Sequence, residues 1–329
     1  MEVLSSKLPN IRHRTVKTNG ISMHIVEQGE GPMVLLLHGF PEFWYSWRFQ
    51  IPALAEAGYR VVAPDVRGYG ETDAPKNPHV YTSCHLVGDL VGLLDALEEK
   101  RVFVVGHDWG AKLAWDLCLL RPDCVKAVIC LSVPFFPRSP KRSSIRGYYE
   151  TVGEGFYMCR FQKPGRAERD FARIGTTATL SKLLFPPRNS FIAPKDKELM
   201  ESIPMPKKLP AWISDADLRY YAQTYEKSGW TGALNVYRAI EKSWELQSPW
   251  TNVGVKTAAL FIVGDKDLVM GFPGVKSYVN KNFKSFVPNL KEVVTLKGGH
   301  FIQQEQPARV NELIITFLHE QTLASSSRL

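Results

Sequence analysis

The residues with the most capacity for chemistry stand in Gly106-His107-Asp108-Trp109-Gly110, which follows the apolar run Val102-Phe103-Val104-Val105 and precedes a helical stretch from Ala111 to Leu120. Strand, tight turn and helix in that order project the central side chain off the end of a sheet. Only small residues on either side let the three segments approach so closely. The pattern has the form of the Gly-x-Ser-x-Gly elbow that presents a nucleophile, with an aspartate where serine would stand. The unpaired N–H groups opening the helix favour negative charge. Asp108 would therefore stay ionised and exposed, as a carboxylate nucleophile must. The competing reading is a plain helix N-cap.

A nucleophile on such an elbow requires an acid and then a histidine further along the chain. Gly264-Asp265-Lys266-Asp267-Leu268-Val269 follows a late apolar strand, and Gly298-Gly299-His300-Phe301 follows the last one. His300 thus lies beyond the carboxyl end of a strand, where open sheets keep their chemistry, and is the candidate base. One carboxylate should orient its ring, and the residues alone leave Asp265 and Asp267 both open. His38-Gly39-Phe40-Pro41 occupies the early strand-to-helix loop that supplies one oxyanion donor, the N–H of Phe40. Trp109, next after the nucleophile, supplies the other. A simple Gly-Pro turn is the alternative for this loop. Glu42 and His107 lie in loops at the same sheet edge, where they could position a water or merely make structural hydrogen bonds.

The elements that must hold these residues follow from periodicity. Arg12 to Lys17 and Ile21 to Glu27 flank Asn19-Gly20, a hairpin signal. Met33-Val34-Leu35-Leu36-Leu37 reads as a strand buried on both faces. Tyr59 to Ala63, Val125 to Leu131, Ala258 to Val263 and Glu292 to Leu296 are further strands. Helices are expected over Trp47 to Ala57, Leu86 to Leu97 and Pro307 to Leu318. This alternation predicts an α/β architecture, a mostly parallel sheet flanked by helices. Between Phe135 and Pro249 no buried-strand run occurs. Helical stretches such as Asp215 to Glu226 and Gly232 to Leu246 alternate with proline-rich loops, and aromatics are dense. The chain is therefore divided into a core of residues 1–134 and 250–329 and an inserted helical cap of residues 135–249. Arg67-Gly68-Tyr69-Gly70 begins like a dinucleotide fingerprint, but Asp73 stands where the final glycine belongs. The segment Asp65 to Gly70 is read as a structural turn.

A chain of 329 residues with a formal charge of +8 can bury a large core and carries no nucleic-acid motif. The mild basic cluster Arg138, Lys141, Arg142 and Arg146 is read as a solvated face. The five cysteines, Cys84, Cys118, Cys124, Cys130 and Cys159, lack metal-ligand or redox spacing and fit buried free thiols in a reducing compartment. Met1 to Ile11 lacks the apolar core of a signal peptide, and no run is long enough to span a membrane. A soluble cytoplasmic protein, monomer or homodimer, is expected. Ser327-Arg328-Leu329 resembles a peroxisomal address and is kept as a minor possibility.

Taken together, HGFPEFWYSWR, DVRGYGETDAP, GHDWGAKLAW, GDKDLVM and GGHF resemble the soluble epoxide hydrolases of the α/β-hydrolase superfamily, particularly those of plants. The resemblance covers nearly the whole chain. It implies that Asp108 attacks an epoxide carbon and that His300 is the base. The Gly-x-x-Asp-x-Val context implies that Asp267 is the acid. It also implies a cis Phe40-Pro41 bond and no metal or organic cofactor. Two lid tyrosines of that family donate hydrogen bonds to the epoxide oxygen. Gly232-Ala233-Leu234-Asn235-Val236-Tyr237-Arg238 is similar to one such element and points to Tyr237. Gly155-Phe156-Tyr157-Met158 points, over a shorter match, to Tyr157, for which packing is a strong competitor. The implied partners are water and a small apolar epoxide, fatty-acid or aryl. Haloalkane dehalogenases share the aspartate, but many place Asn at the position of Phe40, which has no side-chain donor. Fluoroacetate dehalogenases carry Arg at the position of Trp109. A ligand-binding receptor on the same fold is the rival from another class.

Overall fold

Asn19-Gly20 joins β1 (Arg12–Thr18) to β2 (Ile21–Gln28) as an antiparallel pair with Thr18 opposite Ile21. Both turn residues have positive φ, 45° and 79°, as a two-residue hairpin of this type demands. The strands β3 (Met33–Leu37), β4 (Arg60–Pro64), β5 (Val102–His107), β6 (Val125–Leu131), β7 (Ala259–Gly264) and β8 (Leu290–Leu296) complete one sheet of order β1-β2-β4-β3-β5-β6-β7-β8. β2 runs antiparallel to β4, and every pairing from β4 to β8 is parallel. The computed structural model describes residues 10–187 and 190–326; Ser327-Arg328-Leu329 and most of Met1 to Ile11 lie outside them.

Two compact units divide the described residues. One takes the chain up to Val66, Leu86–Pro137 and the chain from Val253 onward; the other takes Arg67–His85 and Arg138–Asn252. The divisions fall at 137/138 and 252/253, against the expected 134/135 and 249/250. The segment Arg67–His85, which the sequence reading left in the core, groups with the helical residues. The reason is local packing of the expected turn. A Cβ on Gly68 would meet the backbone of Gly232 at 2.7 Å, and the Tyr69 hydroxyl donates to the carbonyl of Ala233 at 3.3 Å.

In the first unit β3, β5 and β7 are buried along their whole length, because helices such as Trp109–Leu120 and Pro307–Ser326 cover an all-parallel region on its faces. The outermost strands β1 and β8 are largely exposed. The chain passes from β3 to β4 on one side and later to β5 on the other. Loops leaving β3 and β5 therefore diverge, opening a crevice at the carboxyl ends of the strands. Parallel register aligns those ends: Leu37 with Gly106, His107 with Leu131, Gly264 with Leu296.

The second unit holds helices Ser144–Thr151, Tyr157–Arg160, Arg166–Ile174, Thr176–Leu184, Leu199–Ser202, Asp215–Ser228, Thr231–Arg238 and Ile240–Leu246. The stretch expected as one helix from Gly232 to Leu246 breaks at Ala239. In the first unit, Trp44–Trp47 forms a tighter 3₁₀ turn before the helix Gln50–Glu56, where one helix from Trp47 was expected. The basic cluster lies on an exposed face, as expected at Lys141, Arg142 and Arg146, and carries ion pairs there. Arg142 meets Glu150, Arg146 meets Glu241, and Arg138 stacks on Trp244 and donates to its carbonyl. None of the five cysteines forms a disulfide; four are buried, but Cys84 is exposed, contrary to the expectation for the set. Among the described residues no helix is long and apolar enough to cross a membrane.

Candidate active site

Asp108 sits between β5 and the helix Trp109–Leu120 with φ 53° and ψ −118°. A non-glycine residue pays on the order of 1–3 kcal/mol for such a conformation, and the surroundings enforce it. Added Cβ atoms would bring Gly106 to 2.3 Å from the carbonyl oxygen of Gly110, and Gly110 to 2.0 Å from that of Leu37. The flanking glycines are thus required for strand, turn and helix to meet. Asp108 occupies the N-cap position of the helix, but its side chain makes no cap bond to it. Its carboxylate turns instead to the loop after β3, where the Phe40 N–H donates to Oδ1 at 2.9 Å. A Cβ on Gly39 would lie 2.4 Å from that of Asp108, so only glycine lets this loop reach the carboxylate. The Phe40-Pro41 bond is cis. Trp109 follows directly as the first residue of the helix.

His300 follows β8. Its Nε2 lies 3.5 Å from Asp108 Oδ2, and its Nδ1 lies 3.0 Å from Asp267 Oδ1. Of the two aspartates, Asp267 meets the ring, whereas Asp265 accepts the N–H of Gly298 at 3.0 Å. Gly264 is needed here, since a Cβ would sit 2.1 Å from the carbonyl oxygen of Gly299. The side chains of Asp108 and His300 keep 13% and 8% exposure, while that of Asp267 has none. Asp108 and His300 are thus partly open to solvent, and Asp267 is not. Burial pushes the Asp108 carboxyl up, but its hydrogen bond and charge interaction with His300 outweigh this and hold it below its ordinary value. Burial likewise pushes the His300 imidazole down, yet the Asp267 charge and the bonds to both carboxylates carry it well above its ordinary value.

Glu42 and His107 are wholly enclosed. His107 Nδ1 lies 2.7 Å from Glu42 Oε2, and its Nε2 lies 2.8 Å from the carbonyl oxygen of His300. Both ring nitrogens of His107 thus face oxygen atoms. Glu42 also accepts the N–H of Gly39 at 3.0 Å and the side-chain amides of Gln303 and Gln304 at 2.8 and 3.0 Å. Burial raises its carboxyl, and the charge and hydrogen bond of His107, with the N–H of Gly39, bring it below its ordinary value. The pair ties the loop after β3, the residue before Asp108 and the backbone of His300 into one network. His38 is neutral: burial lowers it, its Nε2 accepts the N–H of Val66 at 3.0 Å, and its Nδ1 faces the Gly39 carbonyl at 3.0 Å.

Sequence reasoning missed three residues of this site. Gln303 and Gln304 carry no readable signal beyond their place after His300. Ser132, whose Oγ lies 2.9 Å from His300 Nδ1, immediately follows β6, and its position at a strand's carboxyl end could have flagged it.

In the second unit the rings of Tyr157 and Tyr237 lie 5.9 Å apart, edge to face. Phe161 packs against both, at 5.5 and 5.1 Å. Two reciprocal bonds clasp the elements that carry them. The Gln162 amide donates to the Tyr237 carbonyl at 2.9 Å, and Arg238 Nε donates to the Phe161 carbonyl at 3.1 Å. Among the described residues no group of three or more His, Cys, Asp or Glu side chains could hold a metal ion.

A nucleophile turn after β5, a donor loop after β3, and acid and histidine loops after β7 and β8 define a hydrolase architecture. The chain belongs to the alpha/beta hydrolase fold family, whose model matches residues 32–307. It is 51% identical over 316 residues to epoxide hydrolase 3 of Siraitia grosvenorii, a match covering 95% of this chain and all of that one. It is 39% identical over 318 residues to epoxide hydrolase A of Mycobacterium tuberculosis, covering 93% and 96% of the two chains. Among solved structures, potato (Solanum tuberosum) epoxide hydrolase I superposes with a TM-score of 0.89 at 49% identity, covering 94% of this chain and 100% of that one.

Proposed function

We propose that this protein hydrolyses epoxides to vicinal diols through a covalent ester on Asp108. The observation that carries the proposal is an ionised, reachable carboxylate, rather than a serine, at the centre of an otherwise complete hydrolase site, with Nε2 of His300 3.5 Å away. A serine opening an epoxide would leave an ether that water does not readily cleave. A carboxylate leaves an ester, which it does.

Asp108 attacks one epoxide carbon, forming the ester bond and breaking that carbon's bond to the ring oxygen, while Tyr157 and Tyr237 donate O–H hydrogen bonds to the departing oxygen. Phenols near pKa 10 donate strongly yet keep their protons at neutral pH. In the resting site the His300 proton is held partly by the charge of Asp108. Ester formation removes that charge, which lowers the imidazole's hold on the proton and frees a base for the second step. The proton given up ends on the hydroxyl of the ring-opened substrate. His300, oriented by Asp267, then takes a proton from water. The hydroxide adds to the Asp108 carbonyl, and the N–H groups of Phe40 and Trp109 hold the oxyanion. Collapse expels the diol oxygen, which takes the proton of the new carboxyl and restores the carboxylate–imidazolium pair. Glu42 has several donors besides His107, which supports a role in fixing the site over direct contact with the attacking water.

The aromatic content of the helical unit supports an apolar substrate, a fatty-acid or aryl epoxide. That none of the five cysteines is in a disulfide supports a reducing, cytoplasmic compartment. Single turnover in oxygen-18 water tests the reading. The first diol should carry an unlabelled new oxygen drawn from Asp108, with label entering only in later turnovers. Solvent label in the first-turnover diol overturns the covalent route. Parallel incubation with styrene oxide and a bromoalkane separates this reading from a dehalogenase.

A further inference from the structure

We propose that Ser132 is a positioning residue for the base: its hydroxyl oxygen shares the Nδ1–H of His300 with Asp267 and strengthens His300 for the ester-hydrolysing step. The proposal rests on the function proposed above. His300 Nδ1 has two oxygens within reach, Ser132 Oγ at 2.9 Å and Asp267 Oδ1 at 3.0 Å. A ring nitrogen facing a carboxylate carries the hydrogen, so the serine oxygen accepts. Asp267 does not fully commit to the ring. Its Oδ1 also takes the N–H of Val269 at 2.9 Å, and its buried Oδ2 has no hydrogen-bond partner among the described residues. The neutral hydroxyl therefore completes an orienting set that the carboxylate alone leaves thin.

The backbone of Ser132 supports the same conclusion. It is fully buried with φ 72°, a left-handed conformation that glycine adopts freely and serine does not. A strained side-chain-bearing residue at a site where glycine would be easier indicates that the side chain is used. The conformation is pinned by the sheet: the Ser132 N–H donates to the Ile262 carbonyl at 2.9 Å, and the neighbouring Leu131 carbonyl accepts the N–H of Val133 at 2.9 Å and that of Asp108 at 3.3 Å. The other polar groups facing the His300 ring are Asp108 at Nε2, Asp267 at Nδ1, and the His107 ring at 4.8 Å with Glu42 behind it. When the ring takes a proton from water, its Nδ1–H becomes a stronger donor. Every acceptor on that hydrogen then favours the cation.

The test compares Ser132→Ala and Ser132→Gly with the unmodified enzyme. Glycine tolerates the backbone conformation and guards against loss through misfolding. Single turnover with trans-stilbene oxide follows formation and decay of the Asp108 ester, and nitrogen-15 NMR follows the titration of His300 without substrate. Expected are ester formation within about twofold of the unmodified rate and ester decay roughly tenfold slower in both variants, the loss of one hydrogen bond to a charged group. The pH midpoints of both the decay and the His300 resonance should move down. Unchanged decay and unchanged midpoints overturn the proposal, as does slow decay in the alanine variant alone, which would trace the effect to backbone strain. If the unmodified enzyme forms no ester, the functional reading fails, and the NMR midpoints still decide whether Ser132 acts on His300.

Discussion

The two units hold their candidate catalytic groups by different means. In the α/β unit the chemistry rests on main chain. Asp108 is set by a φ of 53°, by glycines that no other residue could replace, and by a backbone donor from Phe40. In the helical unit two neutral hydroxyls are set by side chains. Tyr157 and Tyr237 stand on helices of four and eight residues, Tyr157 packed against Phe156, Phe161 and Phe191 and Tyr237 against Phe161. Main-chain geometry allows few states, whereas packed rings can shift by fractions of an ångström at modest cost. The first unit should therefore fail sharply on substitution and the second by degrees.

The largest effect should come from Asp108→Asn. Turnover should fall by on the order of 10⁴-fold or more, as when a nucleophile is lost from a catalytic set. The same variant checks the electrostatics. The Asp108 charge is among the causes that raise His300, so its removal should lower the pH midpoint of the His300 imidazole, read by nitrogen-15 NMR. A midpoint that stays put would show that the Asp108 charge has no part in setting the base. His300→Gln should come next, slowing ester hydrolysis by roughly 10³-fold while alkylation continues. Intact-protein mass spectrometry should then show the enzyme plus one substrate mass. An adduct-free variant under these conditions would break the division of labour between the two residues.

This contrast also explains what could be read from the sequence. The parallel sheet, the elbow, the oxyanion loop and the His300 loop were legible because each imposes a local rule: apolar runs for buried strands, glycines at close approaches, a histidine after the last strand. Asp267 was separated from Asp265 only by resemblance, since both aspartates suit a loop after β7. Ser132 was hidden because a serine after a strand is common, and its strain appears only in the fold. In the helical unit the break at Ala239 leaves no mark, because neither glycine nor proline makes it. The membership of Arg67–His85 was equally invisible, being decided by contacts between residues some 160 positions apart, such as Tyr69 with Ala233.

Within the helical unit, Tyr237→Phe and Tyr157→Phe should each slow alkylation by about 10²-fold, the usual consequence of removing one donor to a developing oxyanion. Hydrolysis of a preformed ester should hardly change. Stopped-flow separation of the two half-reactions checks this. Equal slowing of both steps would assign the tyrosines to packing instead of epoxide activation.

The smallest effect concerns the clasp between the tyrosine-bearing helices. The Gln162 amide reaches the Tyr237 carbonyl at 2.9 Å and the Met158 carbonyl at the same distance. Gln162→Leu keeps similar bulk but leaves the Tyr237 carbonyl without this donor, at a cost of about 1–2 kcal/mol. Arg238 still holds the Phe161 carbonyl and Glu168, so the helices should stay together with a looser spacing. Alkylation should then slow by about threefold to tenfold, since sub-ångström misplacement of a donor is felt in the rate, while the His300 titration stays where it was. If Gln162→Leu moved that titration or slowed ester hydrolysis as strongly as alkylation, the two regions would not be separable in the way their construction suggests.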